Sequence, residues 1–223
     1  VMGLGVLADL NGDGIDEIVI GTIHFDAIYT NRSRPAFGPC RDLPFPTTLS
    51  GLAGIDLAGD GDLDLLYDSY ESSVLLAARN DGAGNFQENV ATGVTFHADV
   101  HPQAFFATAD LNADGLADLI VAYDYDQPAQ IYLQAQDGSF GLRTALDAAS
   151  IGATSLATGD LDGDGDIDLV SAKPRNGPDN PGQTQIYLNQ GDGGFDPARP
   201  LGGAGGVELW RVTGSVTPNT GSL

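Results

Sequence analysis

Four nine-residue stretches set oxygen-bearing side chains at alternate positions: "DLNGDGIDE" from Asp9, "DLAGDGDLD" from Asp56, "DLNADGLAD" from Asp110 and "DLDGDGDID" from Asp160. Numbered from the first aspartate, positions 1, 3, 5 and 9 read Asp9, Asn11, Asp13 and Glu17 in the first loop. They read Asp56, Ala58, Asp60 and Asp64 in the second, and Asp110, Asn112, Asp114 and Asp118 in the third. In the fourth they are Asp160, Asp162, Asp164 and Asp168. Position 6 is always glycine: Gly14, Gly61, Gly115 and Gly165. Alternating oxygen donors wrapped by a sharp turn form a cage for a hard cation, and calcium, with six to eight oxygens, is the ion this suits. Position 7, occupied by Ile15, Asp62, Leu116 and Asp166, would add its main-chain carbonyl. Magnesium fits less well because it keeps several waters.

The charge itself argues for an ion. Two carboxylates about 4 Å apart repel by about 1 kcal/mol in water and about 4 kcal/mol at an effective dielectric of 20. A loop with several such pairs is expected to close around a cation. Up to four calcium ions are therefore expected. The Asp160 loop is the best formed, with Asp166 giving mainly its carbonyl. The second site should be weakest, since Ala58 removes a donor, and Asn11 and Asn112 lower the charge of the first and third. An EF-hand needs a bidentate Glu at position 12 and flanking helices. Position 12 here is Ile20, Tyr67, Val121 or Ser171, inside strand-like runs, so that reading fails.

The loops recur at intervals of 47, 54 and 50 residues, and the sequence around them recurs too. A small apolar segment precedes each loop ("LGVLADL", "LAGIDL", "FFATADL", "SLATGDL"), and a short apolar run follows ("EIVIGTI", "DLLYDS", "DLIVAY", "DLVSA"). A third segment reads "AIYTN", "VLLAA", "IYLQA" and "IYLNQ", and it leads into a Gly-rich turn and a phenylalanine. Short runs of Val, Ile, Leu and Tyr bounded by Gly, Asp and Asn read as strands. No helical stripe is sustained. Each unit thus reads as a four-stranded antiparallel meander, which buries little alone and packs radially against its neighbours as a β-propeller blade. The fold class is all-β, with four units over residues 1–201 starting near 1, 50, 103 and 152. Residues 202–223 are expected to be a partial fifth strand or a ring-closing segment. The four blades form either a complete small ring or part of a larger one.

Composition narrows the function. The chain has 31 acidic and 9 basic residues in 223, a formal net charge of −22, and a single lysine, Lys173. That balance excludes nucleic-acid binding and electrostatic attachment to anionic membranes, and no apolar run is long enough to span a bilayer. Cys40 is alone, so no internal disulfide is expected. No G-x-S-x-G, paired Cys/His or phosphate loop is present, so no enzyme activity is expected. Asn31 opens an N-x-S acceptor that matters only in a eukaryotic secretory setting, and His97, Asp99 and His101 read as exposed side chains before they read as a transition-metal site.

The D-x-[DN]-x-D-G-x-x-[DE] loops, with the turn-plus-Phe elements around Phe37, Phe86, Phe140 and Phe195, resemble FG-GAP/VCBS repeats, the calcium-binding blades of integrin α-subunit-type propellers. The resemblance spans roughly residues 1–201. It implies calcium between strands 1 and 2 of each blade, a ring of typically seven blades, and an extracellular, cell-surface or periplasmic setting. It also implies adhesion or binding of a glycan or protein ligand on the face opposite the calcium loops. There the chain would offer Tyr67, Asp68, Tyr70, Tyr123, Tyr125, Asp126, Lys173 and Arg175, whose rings and charges could stack on a sugar or receive a basic peptide. Two rivals stand beside this reading: a structural subunit of a cell-surface assembly, and an accessory propeller of a polysaccharide-active enzyme.

Overall fold

The structure is a computed structural model, and it describes residues 4–21, 26–29, 38, 41–42, 49–57, 59–69, 74–87, 90–95, 104–123, 127–174 and 182–201. Among the described residues, sixteen strands form four sheets, each a meander whose order in space follows the chain. Blade 1 comprises β1 (Leu4–Ala8), β2 (Glu17–Gly21), β3 (Asp26–Tyr29) and β4 (Arg41–Asp42). Blade 2 comprises β5 (Leu49–Asp56), β6 (Leu63–Ser69), β7 (Val74–Ala78) and β8 (Val90–Thr95). Blade 3 comprises β9 (Ala104–Ala109), β10 (Asp118–Tyr123), β11 (Gln130–Gln134) and β12 (Phe140–Ala145). Blade 4 comprises β13 (Ser155–Gly159), β14 (Asp168–Lys173), β15 (Gln183–Tyr187) and β16 (Arg199–Pro200). The one helical turn among the described residues is a 3-10 turn at Ala148–Ser150, capped by the Asp147 carboxylate accepting from the Ala149 amide. The all-β propeller arrangement expected from the repeats is the observed one.

Every strand pair is antiparallel, and each acidic loop is the β-hairpin between strands 1 and 2 of a blade. Side chains alternate between the two faces of a sheet, so one residue set packs backward on the preceding blade and the next packs forward. Three apolar cores result. Val19, Ile28 and Leu10 of blade 1 meet Leu65, Tyr67 and Ala78 of blade 2. Leu57, Leu66, Leu75 and Ala77 of blade 2 meet Leu119, Val121, Tyr123 and Tyr132 of blade 3. Leu111, Ile120, Ala122 and Ile131 of blade 3 meet Leu169 and Tyr187 of blade 4. A blade therefore has no core of its own; its stability lies in the contacts with its neighbours.

The inner strands β1, β5, β9 and β13 succeed one another side by side. Small residues permit this approach. A Cβ placed on Gly51 of β5 would overlap the Phe106 ring of β9 and come within 2.7 Å of Asp68 Oδ1 and 3.0 Å of the Ala104 carbonyl oxygen. Gly51→Ala is expected to cost about 1–3 kcal/mol through overpacking between blades 2 and 3, read from the urea midpoint. An unchanged midpoint would mean that β5 and β9 part without cost.

Candidate functional site

Each acidic loop is folded by its own carboxylates. In the first, Asp9 Oδ1 accepts the amide of Gly12 at 2.9 Å and Asp9 Oδ2 accepts that of Gly14 at 2.7 Å, while Asp13 Oδ1 accepts from Ile15 at 2.9 Å. The fourth repeats the pattern: Gly163 and Gly165 donate to Asp160 at 2.7 and 3.2 Å, and Asp166 donates to Asp164 at 2.9 Å. Asp56 and Asp110 hold Gly61 and Gly115 in the same way. Position 6 needs the left-handed conformation in every loop, with φ from +82° at Gly14 to +98° at Gly165, a region glycine enters without strain. Position 4 is also left-handed, and in the third loop a non-glycine, Ala113, adopts it at φ 57°.

Position 9 plays a second part. Glu17, Asp64, Asp118 and Asp168 are all buried. One oxygen of each accepts the amide of the leucine at position 2: Leu10 at 3.0 Å, Leu57 at 3.1 Å, Leu111 at 2.9 Å and Leu161 at 2.8 Å. In blades 2 to 4 the other oxygen accepts the amide of Asn80, Gln134 or Asn189, at or just beyond the end of the third strand, at 2.6, 2.8 and 2.9 Å. This carboxylate ties the loop to two strands, and its remaining lone pairs are what it can offer an ion.

The four loops are not equivalent in charge. In the first, the Asn11 side-chain amide donates to Glu17 Oε1 at 3.0 Å, and in the third Asn112 donates to Asp114 Oδ2 at 2.9 Å. These neutral donors relieve carboxylate repulsion from within. The fourth has Asp162 at that position, exposed, and partial desolvation together with the neighbouring Asp164 raises its carboxyl above the usual carboxylate value. Carboxylate oxygens of Asp160, Asp162 and Asp168 lie within 4.8 Å of one another. Three anionic oxygens at that separation fit the donor chemistry of a calcium ion. The side chains of Asp62 and Asp166 lie against Gly82 and Gly191 of the strand 3–4 turns, which leaves position 7 its carbonyl as ligand. Loops 1–2 and 3–4 thus share one end of the blades.

Burial pushes Asp64 and Asp118 up to about 6, against the hydrogen bonds from Asn80 and Gln134 that pull them down. A carboxyl with a higher pKa folded than unfolded binds its proton more tightly in the fold. Stability in chelator is therefore expected to rise as pH falls through about 6 and to level off near 4, the unfolded value. With calcium bound the sign should reverse, because protons then compete with the ion. Urea midpoints at pH 7 and 5, with chelator and with calcium, read both slopes; parallel slopes would count against it.

The expected ligand face is corrected in part. Tyr67 and Tyr123 are buried in the cores between blades, and burial raises both hydroxyls well above the ordinary tyrosine value. Asp68 is buried as well. Tyr67 and Asp68 point to opposite faces of β6, and both of these and Tyr123 are covered, so none is open to a ligand. Lys173 is half-buried at the end of β14, its Nζ donating to the Ile151 carbonyl at 3.5 Å. Tyr70, Tyr125, Asp126 and Arg175 lie outside the described residues, as do Ala58, the His97–His101 segment, Cys40, Asn31 and residues 202–223.

Sequence reasoning missed one device. Asn80 Nδ2 donates to the Leu10 carbonyl of blade 1 at 2.8 Å and to the Leu63 carbonyl of its own loop at 3.1 Å. Asn189 does the same with Leu111 of blade 3, at 2.8 Å, and Ile167, at 3.0 Å. Gln134 reaches Asp56 and Ala117. Each carboxamide clasps its own acidic loop to that of the preceding blade. The available signal was an Asn or Gln two residues beyond the third strand's loop-proximal partner in every unit. Two arginines add outer links: Arg79 Nη2 donates to the Asp137 carbonyl at 3.2 Å, and Arg143 pairs with Asp192 at 2.6 Å.

Comparison with known proteins agrees with this geometry. The structure is similar to that of an Agrocybe aegerita lectin solved for its specific recognition of non-reducing terminal N-acetylglucosamine. The identity is 22% and the TM-score 0.65, over 89% of this chain and 51% of the lectin chain. It is also similar to part of the Photorhabdus luminescens Tc holotoxin pore, at 20% identity and TM-score 0.50, over 90% of this chain and 9% of that one. The chain spans about half the length of the lectin it matches. No curated protein shows significant sequence similarity. The family model for the FG-GAP-like repeat matches at residues 9–67, 56–121, 110–171 and 160–215. Matched over all four of its blades, the chain belongs to the FG-GAP-like repeat family.

Proposed function

We propose that this chain is a calcium-stabilised binding module of the extracellular, cell-surface or periplasmic space, and not an enzyme. The observation that carries the reading is the fourth acidic loop, where Asp160, Asp162 and Asp168 converge their oxygens and position 3 is itself a carboxylate, in place of the side-chain donor that Asn11 gives the first loop. Asp160, Asp162, Asp164 and Asp168 would hold the ion with the Asp166 carbonyl, and equivalent residues would do so in the other loops. Calcium there supplies charge neutralisation that lets the loop stay closed; it has no part in a reaction.

Ligand recognition falls to the other end of the blades, where the strand 2–3 and strand 4–1 connections lie. Likeness of fold to a lectin supports a glycan as the ligand, and the chain's acidity supports a basic protein segment as the second candidate. Tyr70, Tyr125, Asp126, Lys173 and Arg175 remain the candidate contacts. A glycan array that includes terminal N-acetylglucosamine, probed in calcium and in chelator, tests the reading. Retention of defined glycans in calcium, lost in chelator as the fold loosens, is the expected result. No retention in either buffer sinks the glycan assignment, and an unchanged fold in chelator sinks the calcium one.

A further inference from the structure

One step of the first acidic loop carries chemistry beyond ion binding. Asn11 is followed by Gly12, and among the described residues no other asparagine precedes a glycine: Asn80, Asn85, Asn112 and Asn189 precede Asp81, Phe86, Ala113 and Gln190. An asparagine carboxamide is chemically labile toward the peptide nitrogen that follows it, and a glycine there, with no Cβ, leaves that nitrogen open to approach. The step balances with water alone. The Gly12 nitrogen loses its proton and bonds to Asn11 Cγ, the Cγ–Nδ2 bond breaks, and Nδ2 departs with that proton as ammonia. Water then opens the five-membered imide at one carbonyl or the other. Residue 11 becomes aspartate, or isoaspartate with the main chain routed through its side chain.

The closed loop holds every atom this step uses. The Gly12 amide donates to Asp9 Oδ1 at 2.9 Å, so the proton that must leave is tied to a carboxylate. Asn11 Oδ1 accepts the Asp13 amide at 3.0 Å, and Asn11 Nδ2 donates to Glu17 Oε1 at 3.0 Å, which fixes the leaving nitrogen on a buried side chain. Bringing Asn11 Cγ onto the Gly12 nitrogen is a rotation that the Asp13 and Glu17 bonds resist. Asn11 is half-buried and Gly12 exposed, so water reaches the step once those bonds open. The third loop contains its own control. Asn112 Oδ1 accepts the Asp114 amide at 3.1 Å as Asn11 does with Asp13, but the next residue is Ala113, left-handed like Gly12 and bearing a Cβ beside the attacking nitrogen.

We propose that Asn11 is a modification site, converted without an enzyme to aspartate or isoaspartate when the first loop opens, and protected while the loop is closed. Either product removes the amide donor that Asn11 gives Glu17. Aspartate turns the loop into a copy of the fourth, with acid at positions 1, 3, 5 and 9, and sets a new carboxylate against Glu17 that repels it until a cation intervenes. Isoaspartate adds a carbon to the main chain and displaces the donors that follow. The consequence for calcium rests on the function proposed above; the conversion itself does not.

Incubation of the 223-residue chain in mildly alkaline buffer, followed by peptide mapping with fragmentation in a mass spectrometer, tests this. Asn11 should gain the mass difference between amide and acid, with ammonia released in step, while Asn112 stays unchanged. The second Asn-Gly step of the sequence, Asn176–Gly177, lies outside the described residues and is read separately. Conversion of Asn11 should be faster in urea than in native buffer, and slowest in calcium. Gly12→Ala should bring Asn11 down to the rate of Asn112, and it should keep the fold, because Ala113 already adopts that backbone. Asn11→Asp, the direct product, should melt lower than the wild type in chelator and gain more from calcium. Conversion of both asparagines at one rate, or of neither, would overturn the site. An equal rate in urea and in native buffer would overturn the protection. Selective conversion that calcium does not slow would uphold the modification and count against calcium in the first loop.

Discussion

Saturating calcium is expected to raise the melting temperature of this chain by about 10–20 °C over its value in chelator. Tenfold free calcium over the dissociation constant stabilises by about 1.4 kcal/mol per site, so four independent sites give about 5–6 kcal/mol. For a chain of this length each kcal/mol moves the midpoint by about 2–4 °C. The loops should not contribute equally. The second lacks a donor at Ala58, and the fourth has acid at all four side-chain positions, so the second should empty first as chelator is added. Asp162→Asn isolates the electrostatic cause, since it turns the fourth loop into the type seen at Asn11 and Asn112. Removing that charge should raise the midpoint in chelator, where Asp162 now sits beside Asp164, and shrink the gain from calcium. A calcium gain that survives Asp162→Asn at full size would place the main stabilising ion elsewhere, and no gain in the wild type would remove calcium from the account.

The strands and acidic loops were legible because four copies of one pattern average out local ambiguity, and a short apolar run such as "DLIVAY" means little until it recurs after every loop. Which face of a strand is covered was not legible in the same way. Tyr67 and Tyr123 stand beside aspartates near strand ends and read as a wet, sugar-stacking surface, yet strand alternation turns both into cores made with a different blade. The double use of position 9 was hidden for a related reason. Asp118 reads as a ligand by spacing, and only the fold shows that Leu111 and Gln134 already donate to its two oxygens. Contacts made 70 or more residues away leave no local trace. Asn80 and Leu10, or Asn189 and Leu111, become partners only because consecutive blades stack in register.

That clasp yields the sharpest structural test. The Asn189 side chain is buried, with Nδ2 donating to two carbonyls and Oδ1 accepting the Gly191 amide at 3.1 Å. Asn189→Ala takes this partner from the Ile167 carbonyl and the Gly191 amide, while the Leu111 carbonyl keeps the Gly193 amide at 3.0 Å. At about 1–3 kcal/mol for each buried polar group left unpaired, with some relief from water entering, the loss should be about 2–4 kcal/mol. Asn189→Asp has nearly the same shape but a different sign of effect at one atom. It keeps the acceptor for Gly191 and turns the Nδ2 donor into an anionic oxygen facing the carbonyls of Leu111 and Ile167. Asp168, whose Oδ1 accepts the residue 189 amide, adds like-charge repulsion. The aspartate should therefore be the worse of the two at pH 7, by about 1–2 kcal/mol at an effective dielectric of 20 or more. Protonation restores a donor, so the gap should close or invert as the pH falls toward 4. Urea midpoints for the two variants at pH 7 and pH 4.5 give the ordering directly. If alanine were the worse at pH 7, filling the space between blades 3 and 4 would matter more than the carboxamide donor, and the asparagines would be packing residues in place of clasps.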